Sequence, residues 1–151
     1  MADPKTVQYA DLESLVGETL APSDWFEVDQ ARINTFADAT GDHQWIHVNE
    51  EMAKQMFGST IAHGYLTLSL IPMFGPQVLR GEGVSRGINY GANKVRFTNM
   101  VPVNSKLRMV QTVKEVNEKA GGKQMISECT IEIEGQERPA CVAETITVLY
   151  G

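Results

Sequence analysis

The hydrophobic positions change their spacing twice along the chain. From Asp29, the segment DQARINTFADAT sets Ile33, Phe36 and Ala37 at helical spacing behind an Asp suited to an N-cap, and Gly41 follows as a stop. This predicts a short amphipathic helix. The next stretch, GDHQWIHVNEEMAKQMFGSTIAHG, is polar and broken by Gly58, so it reads as a loop with one more helical turn over 49–56. All three histidines, His43, His47 and His63, fall in it. GYLTLSLIPMFGPQVL then carries Leu66, Leu68, Leu70, Ile71, Met73 and Phe74 with no charged residue, the pattern of a helix buried on every side. Pro72 falls inside it and is expected to kink it.

From about Ser85 the period becomes two. Val95 and Phe97 alternate with Lys94 and Arg96, and the runs SKLRMVQTVKEV, KQMISECTIEIEG and PACVAETITVLY follow, separated by turn residues over 117–122 and 134–138. Strands joined by short turns imply an antiparallel sheet. With a short strand over 25–28, the order is strand, helix, loop, buried helix and four long strands. Such a sheet buries an all-apolar helix only by curling around it. The expected fold class is therefore α+β, the hotdog arrangement of an antiparallel sheet wrapped around a central apolar helix. The polar N-terminal arm is the only plausible linker, so residues 1–151 are expected to form a single domain.

Composition narrows the function classes. At 151 residues and 42% hydrophobic, the chain can bury a core without staples. A net charge of −6, with no Lys/Arg cluster interleaved with aromatics, argues against nucleic acid as a partner. No apolar run reaches the roughly 20 residues of a membrane span. The start, MADPKTVQYADLESL, lacks the basic-then-apolar order of a secretion signal. No membrane partner is expected, and the location expected is cytoplasmic. Cys129 and Cys141 flank a predicted hairpin turn and read as reduced, small hydrophobes with no zinc site around them.

Asp42 and His47 are the first candidates for chemistry. A carboxylate and an imidazole meeting at a half-buried site can hold a water between them and exchange protons with it near neutral pH. The same Asp42 could instead cap a turn after Gly41, with His47 solvated. His43 and His47 are spaced as metal ligands on a helix would be, but the sequence around them is a poor helix, and no metal site is expected. Where GSTIAHGYLTL enters the apolar helix, the amide of Gly64 is the candidate donor to a developing oxyanion; alternatively Ser59 or Thr60 caps the helix and Gly64 only packs tightly. His63 either orients that loop through a hydrogen bond or is a satisfied core histidine. Lys94 with Arg96, and Lys106 with Arg108, present charge on one side of their strands; they are a solvated face or a contact for the phosphates of a large anionic ligand.

FADATGDHQWIHVNEEMAKQMFGSTIAHGYLTLSLIPMF resembles the central segment of the MaoC-like dehydratases, the hotdog family that includes the (R)-specific enoyl-CoA hydratases. NYGANKVRFTNMVPVNSKL resembles the strand, turn and strand that follow, so the likeness runs from about Phe36 to Leu107. The resemblance implies that Asp42 and His47 activate the water added to a trans-2-enoyl thioester, with the Gly64 amide polarising the carbonyl. The product implied is the (R)-3-hydroxyacyl thioester, carried by CoA or an acyl carrier protein, with no metal or redox cofactor. Hydratases feeding polyester synthesis have Asn and Pro where this chain has Gln44 and Trp45, and a small polar residue where it has Pro72. Gln and Trp are closer to the NodN-like branch, and Trp45 is expected to shape the acyl pocket. A hotdog thioesterase and a non-catalytic acyl-binding module are the alternatives. An open sheet edge predicts a homodimer.

Overall fold

In the computed structural model, which describes residues 3–151, five helices pack on a five-stranded antiparallel sheet. β1 (Lys5–Gln8) leads into a 3-10 helix, Tyr9–Leu15, and then β2 (Phe26–Val28). α1 (Gln30–Thr40) begins where Asp29 accepts the Arg32 amide at 2.9 Å and ends where Gly41 takes φ +83°. These are the two boundary residues expected. The segment after it is more ordered than its polarity suggests: α2 (Trp45–Val48) is a single turn, and α3 (Glu50–Phe57) runs two turns from an Asn49 cap to Gly58.

The apolar segment is two helices, α4 (Gly64–Ser69) and α5 (Ile71–Val78), with the break at Leu70. Pro72 does not kink a continuous helix as expected. It sits in the first turn of α5, where its missing N–H has no partner to lose. Nor is the segment covered all round. Leu66, Leu70, Phe74 and Val78 are buried, whereas Tyr65, Ser69, Pro72 and Pro76 are exposed. A cavity of about 990 Å³ separates α5 from the sheet, lined by Leu68, Ile71, Met109, Met125 and Ile146.

β3 (Leu79–Glu82) pairs parallel with β1 in a separate two-stranded sheet. β4 (Arg86–Arg96), β5 (Ser105–Lys119), β6 (Gly122–Ile133) and β7 (Cys141–Tyr150) match the four expected strands. β5 and β6 extend further than the turn residues suggest, meeting across only Ala120 and Gly121, both at positive φ as a tight hairpin needs. The sheet order is β2-β5-β6-β7-β4, so β4 crosses over to pair with β7 instead of its successor. Cys129 and Cys141 are both free and buried, with burial raising both thiols; Cys141 reaches about 11. Both are therefore protonated and unreactive at neutral pH.

The N-terminal arm is not a linker. Leu12 and Leu15 of the 3-10 helix are in the core, and the nearly buried Lys123 ammonium holds that helix to β6. It donates to the Tyr9 carbonyl at 2.9 Å, the Ala10 carbonyl at 3.3 Å and the Glu13 carboxylate at 2.9 Å. A polar segment thus hides two anchoring leucines whose 3-residue spacing fits a 3-10 turn. Among the described residues no helix is long and apolar enough to cross a membrane.

Candidate active site

His47 is placed by the short α2, which the sequence does not announce. Its Nδ1 lies 2.7 Å from the Ile61 carbonyl. A carbonyl only accepts, so Nδ1 carries a hydrogen, and in the neutral ring Nε2 is then the nitrogen with the lone pair. The ring is 7% exposed. Gln30, at the start of α1, supports it from behind: its side-chain N–H donates to the His47 carbonyl at 2.8 Å and its oxygen accepts from Thr60 at 2.5 Å. The loop that carries Ile61 is itself pinned, the Ile61 amide donating to Ile46 at 3.1 Å and the Ala62 amide to Val101 at 2.8 Å.

His63 stacks on His47 with ring centroids 3.8 Å apart, and its Nε2 donates to the Asp42 carbonyl at 3.0 Å. It therefore orients the loop. It is not a satisfied core histidine, because its buried Nδ1 has no partner. Burial lowers the His63 pKa most, opposed by the Asp42 carbonyl and aided by His47 nearby, so the ring is neutral at pH 7.

Asp42 departs from the half-buried environment expected of it: its residue is exposed. The capping alternative is partly realised, since Oδ1 accepts the Gln44 amide at a long 3.3 Å. It nonetheless stands beside the imidazoles, and donor atoms of Asp42, His47 and His63 lie within 4.8 Å of one another. That separation accommodates one water bridging carboxylate and imidazole. The same three groups could be considered for a cation, but the two stacked rings are only 25° from parallel. Each ring also uses one nitrogen on a backbone carbonyl, His47 Nδ1 on Ile61 and His63 Nε2 on Asp42. His43 takes no part. It pairs with Asp38 at 2.9 Å on the surface, and that hydrogen bond raises its pKa.

A cavity of about 410 Å³ opens beside His47 and is lined by Gly64, Thr67, Phe97, Met100 and Arg138 among others. Gly64 opens α4, so its amide has no intrahelical acceptor. Neither Ser59 nor Thr60 caps this helix; the N-cap is the His63 backbone, without a side-chain bond. A Cβ at position 64 would lie 2.9 Å from the Phe97 ring, so glycine is required for the close approach.

Of the expected residues only His47 and Gly64 line that cavity; Asp42 and the others lie outside its wall. Trp45 is turned onto Phe57, with centroids 5.8 Å apart, and His63 stands behind His47. Lys94 and Arg96 are exposed on β4, next to the cavity-lining Phe97. Lys106 and Arg108 are separated from them by two strands, because β7 and β6 intervene between β4 and β5. Arg108 is moreover paired with Glu132 at 2.8 Å and stacked over Trp25. Gln30, Thr67 and Arg138 were not legible as site residues: each is an ordinary polar residue in its own segment until the fold brings it here.

Comparison with known proteins places the chain in a family. The profile of the MaoC like domain matches residues 11–134. The chain is 48% identical over 139 residues to the 3-hydroxyacyl-thioester dehydratase Z of Mycobacterium tuberculosis, covering 91% of this chain and 92% of that protein. It is 42% identical over 147 residues to nodulation protein N of Rhizobium leguminosarum, covering 93% and 89%. Among solved structures, an unliganded R-hydratase from Pseudomonas aeruginosa superposes with a TM-score of 0.73 at 26% identity, covering 94% of this chain and 84% of that one.

Proposed function

Because this chain belongs to the MaoC-like domain family, we infer that it is a hydro-lyase that reversibly hydrates trans-2-enoyl thioesters to (R)-3-hydroxyacyl thioesters. The observation that carries the chemistry is an Asp42 carboxylate oxygen within 4.8 Å of a ring nitrogen of His47, which itself lines a cavity of about 410 Å³. In this reading Asp42 and the free Nε2 of His47 hold the water. Its oxygen bonds to C3, one proton passes to the pair, and the C2–C3 electrons move onto the thioester carbonyl. The Gly64 amide donates to that enolate-like oxygen. The pair then delivers a proton to C2, and water is recovered in the reverse direction. The two groups act as one coupled acid–base unit.

CoA is the carrier we assign. Lys94 and Arg96, with Arg138 at the cavity wall, are the cations we assign to its phosphates, since Arg138 lines the cavity and the other two are exposed on the strand that leads to the cavity-lining Phe97. Replacing each by Gln should raise KM several-fold, more at low salt, with kcat little changed. Unaltered KM in all three variants would remove this contact.

A panel of trans-2-enoyl-CoAs and their saturated analogues tests the reaction. Loss of the conjugated enoyl absorbance without free thiol is hydration; release of free thiol is thioesterase activity and overturns the reading. Acyl carrier protein thioesters run beside them decide the carrier.

Assembly is a further part of the reading. Among the described residues β4 pairs only with β7, and Arg86–Lys94 is exposed throughout, with Ile88 50% and Tyr90 56% exposed. An eleven-residue strand with one open edge and apolar exposed side chains is a template for a second copy. Light scattering at micromolar concentration should report a dimer or a multiple of one. A monomer there is incompatible with this assembly.

A further inference from the structure

Thr67 is 1% exposed, and its Oγ1 is one of the buried polar side-chain atoms without a hydrogen-bond partner. A hydroxyl so placed costs stability, and valine would fill the same space without that cost. Helical hydroxyls elsewhere in this protein avoid the problem by bonding to the carbonyl four residues earlier: Thr35 to Ala31 at 2.9 Å, Thr40 to Phe36 at 2.7 Å and Ser69 to Tyr65 at 2.6 Å. For Thr67 the corresponding carbonyl is that of His63, which already accepts the amides of Leu66 at 3.1 Å and Thr67 at 3.2 Å. The hydroxyl is left buried and unpartnered in a residue that lines the cavity with His47 and Gly64. Thr67 lies three positions after Gly64, which puts both on one helix face.

We propose that the Thr67 hydroxyl is a substrate-binding donor, giving its hydrogen to the thioester carbonyl oxygen alongside the Gly64 amide. This rests on the hydratase reading and adds a second donor to it. The site keeps an unpartnered hydroxyl in the free protein because its acceptor arrives with the substrate, and the bond strengthens as negative charge gathers on that oxygen. Unlike a structural hydroxyl, such a group detracts from stability while contributing to rate.

The test compares Thr67→Val, Thr67→Ser and wild type on a trans-2-enoyl-CoA, with kcat, KM and Tm measured for each. Thr67→Val should lower kcat by about 10- to 10²-fold, the low end of what one oxyanion donor contributes because Gly64 remains. KM should stay within about threefold. Its Tm should equal or exceed that of wild type, while Thr67→Ser keeps the hydroxyl and most of kcat. Wild-type kcat in Thr67→Val overturns the proposal, as does a change confined to KM. A parallel loss of kcat and Tm in both variants makes Thr67 structural and overturns it as well. A wild-type protein that hydrates none of the enoyl-CoAs instead overturns the hydratase reading, and this proposal with it.

Discussion

Asp42→Asn and His47→Ala should each lower kcat by about 10²–10⁴, the range expected when a positioned proton carrier is lost. Asp42→Asn retains the shape and removes the charge, and little folding free energy is at risk at an exposed residue whose carboxylate accepts one 3.3 Å bond. His47 is different, because its removal strands the Ile61 carbonyl, held at 2.7 Å. That costs about 1–3 kcal/mol. His47→Asn separates the effects: its amide N–H sits near the former Nδ1 and can keep the Ile61 bond, yet it offers no basic nitrogen. It should be as inactive as His47→Ala and more stable. Both residues act on one water, so the double variant should lose little more than the worse single one. His43→Ala, altered at a surface pair with Asp38, should retain most activity, and a chelator should leave the wild type unaffected. Folded variants at positions 42 and 47 with near wild-type rates would falsify this assignment.

Gly64→Ala is expected to lower kcat/KM by about 10²-fold, the effect of moving a positioned donor by around 1 Å. The new Cβ would meet Phe97 at 2.9 Å, closer than carbon atoms tolerate. Either the ring swings into the cavity it lines or the start of α4 retreats, and both take the amide from the carbonyl it serves. Phe97 is 43% exposed and touches Tyr65 edge-on, so the ring has room to yield once truncated. Phe97→Ala in the Gly64→Ala background should therefore recover part of the loss. A folded Gly64→Ala protein within about twofold of wild type would mean that the close approach at position 64 is immaterial to catalysis.

What could be read from the chain was whatever short-range chemistry encodes. The Asp29 cap, the Gly41 stop and the period-two runs each depend on a few neighbouring residues, and each reappears in α1 and in the four long strands. The five-residue spacing singled out Asp42 and His47 but left a turn cap and a solvated histidine open; their joint role was implied by the resemblance, and the fold brings the two side chains near each other. The length of α2, the break at Leu70 and the role of the N-terminal arm were not legible, because their polar composition and proline placement suit loop, kink and linker equally well in sequence.

Other features depend on contacts between residues far apart in the chain, and these only the tertiary structure decides. The crossover that pairs β4 with β7 separates Lys94 and Arg96 from Lys106 and Arg108, although the two pairs look alike along the strands. Gln30 reaches His47 across 17 residues and Thr60 across 30, and His63 reaches Asp42 across 21, so the support of the site is invisible to any local window. Thr67 is a common helix residue by pattern; what distinguishes it is that burial removes water and the His63 carbonyl is already occupied. Local propensities select the elements, whereas the partners of each polar group, and hence its chemistry, depend on which elements the packed core brings together.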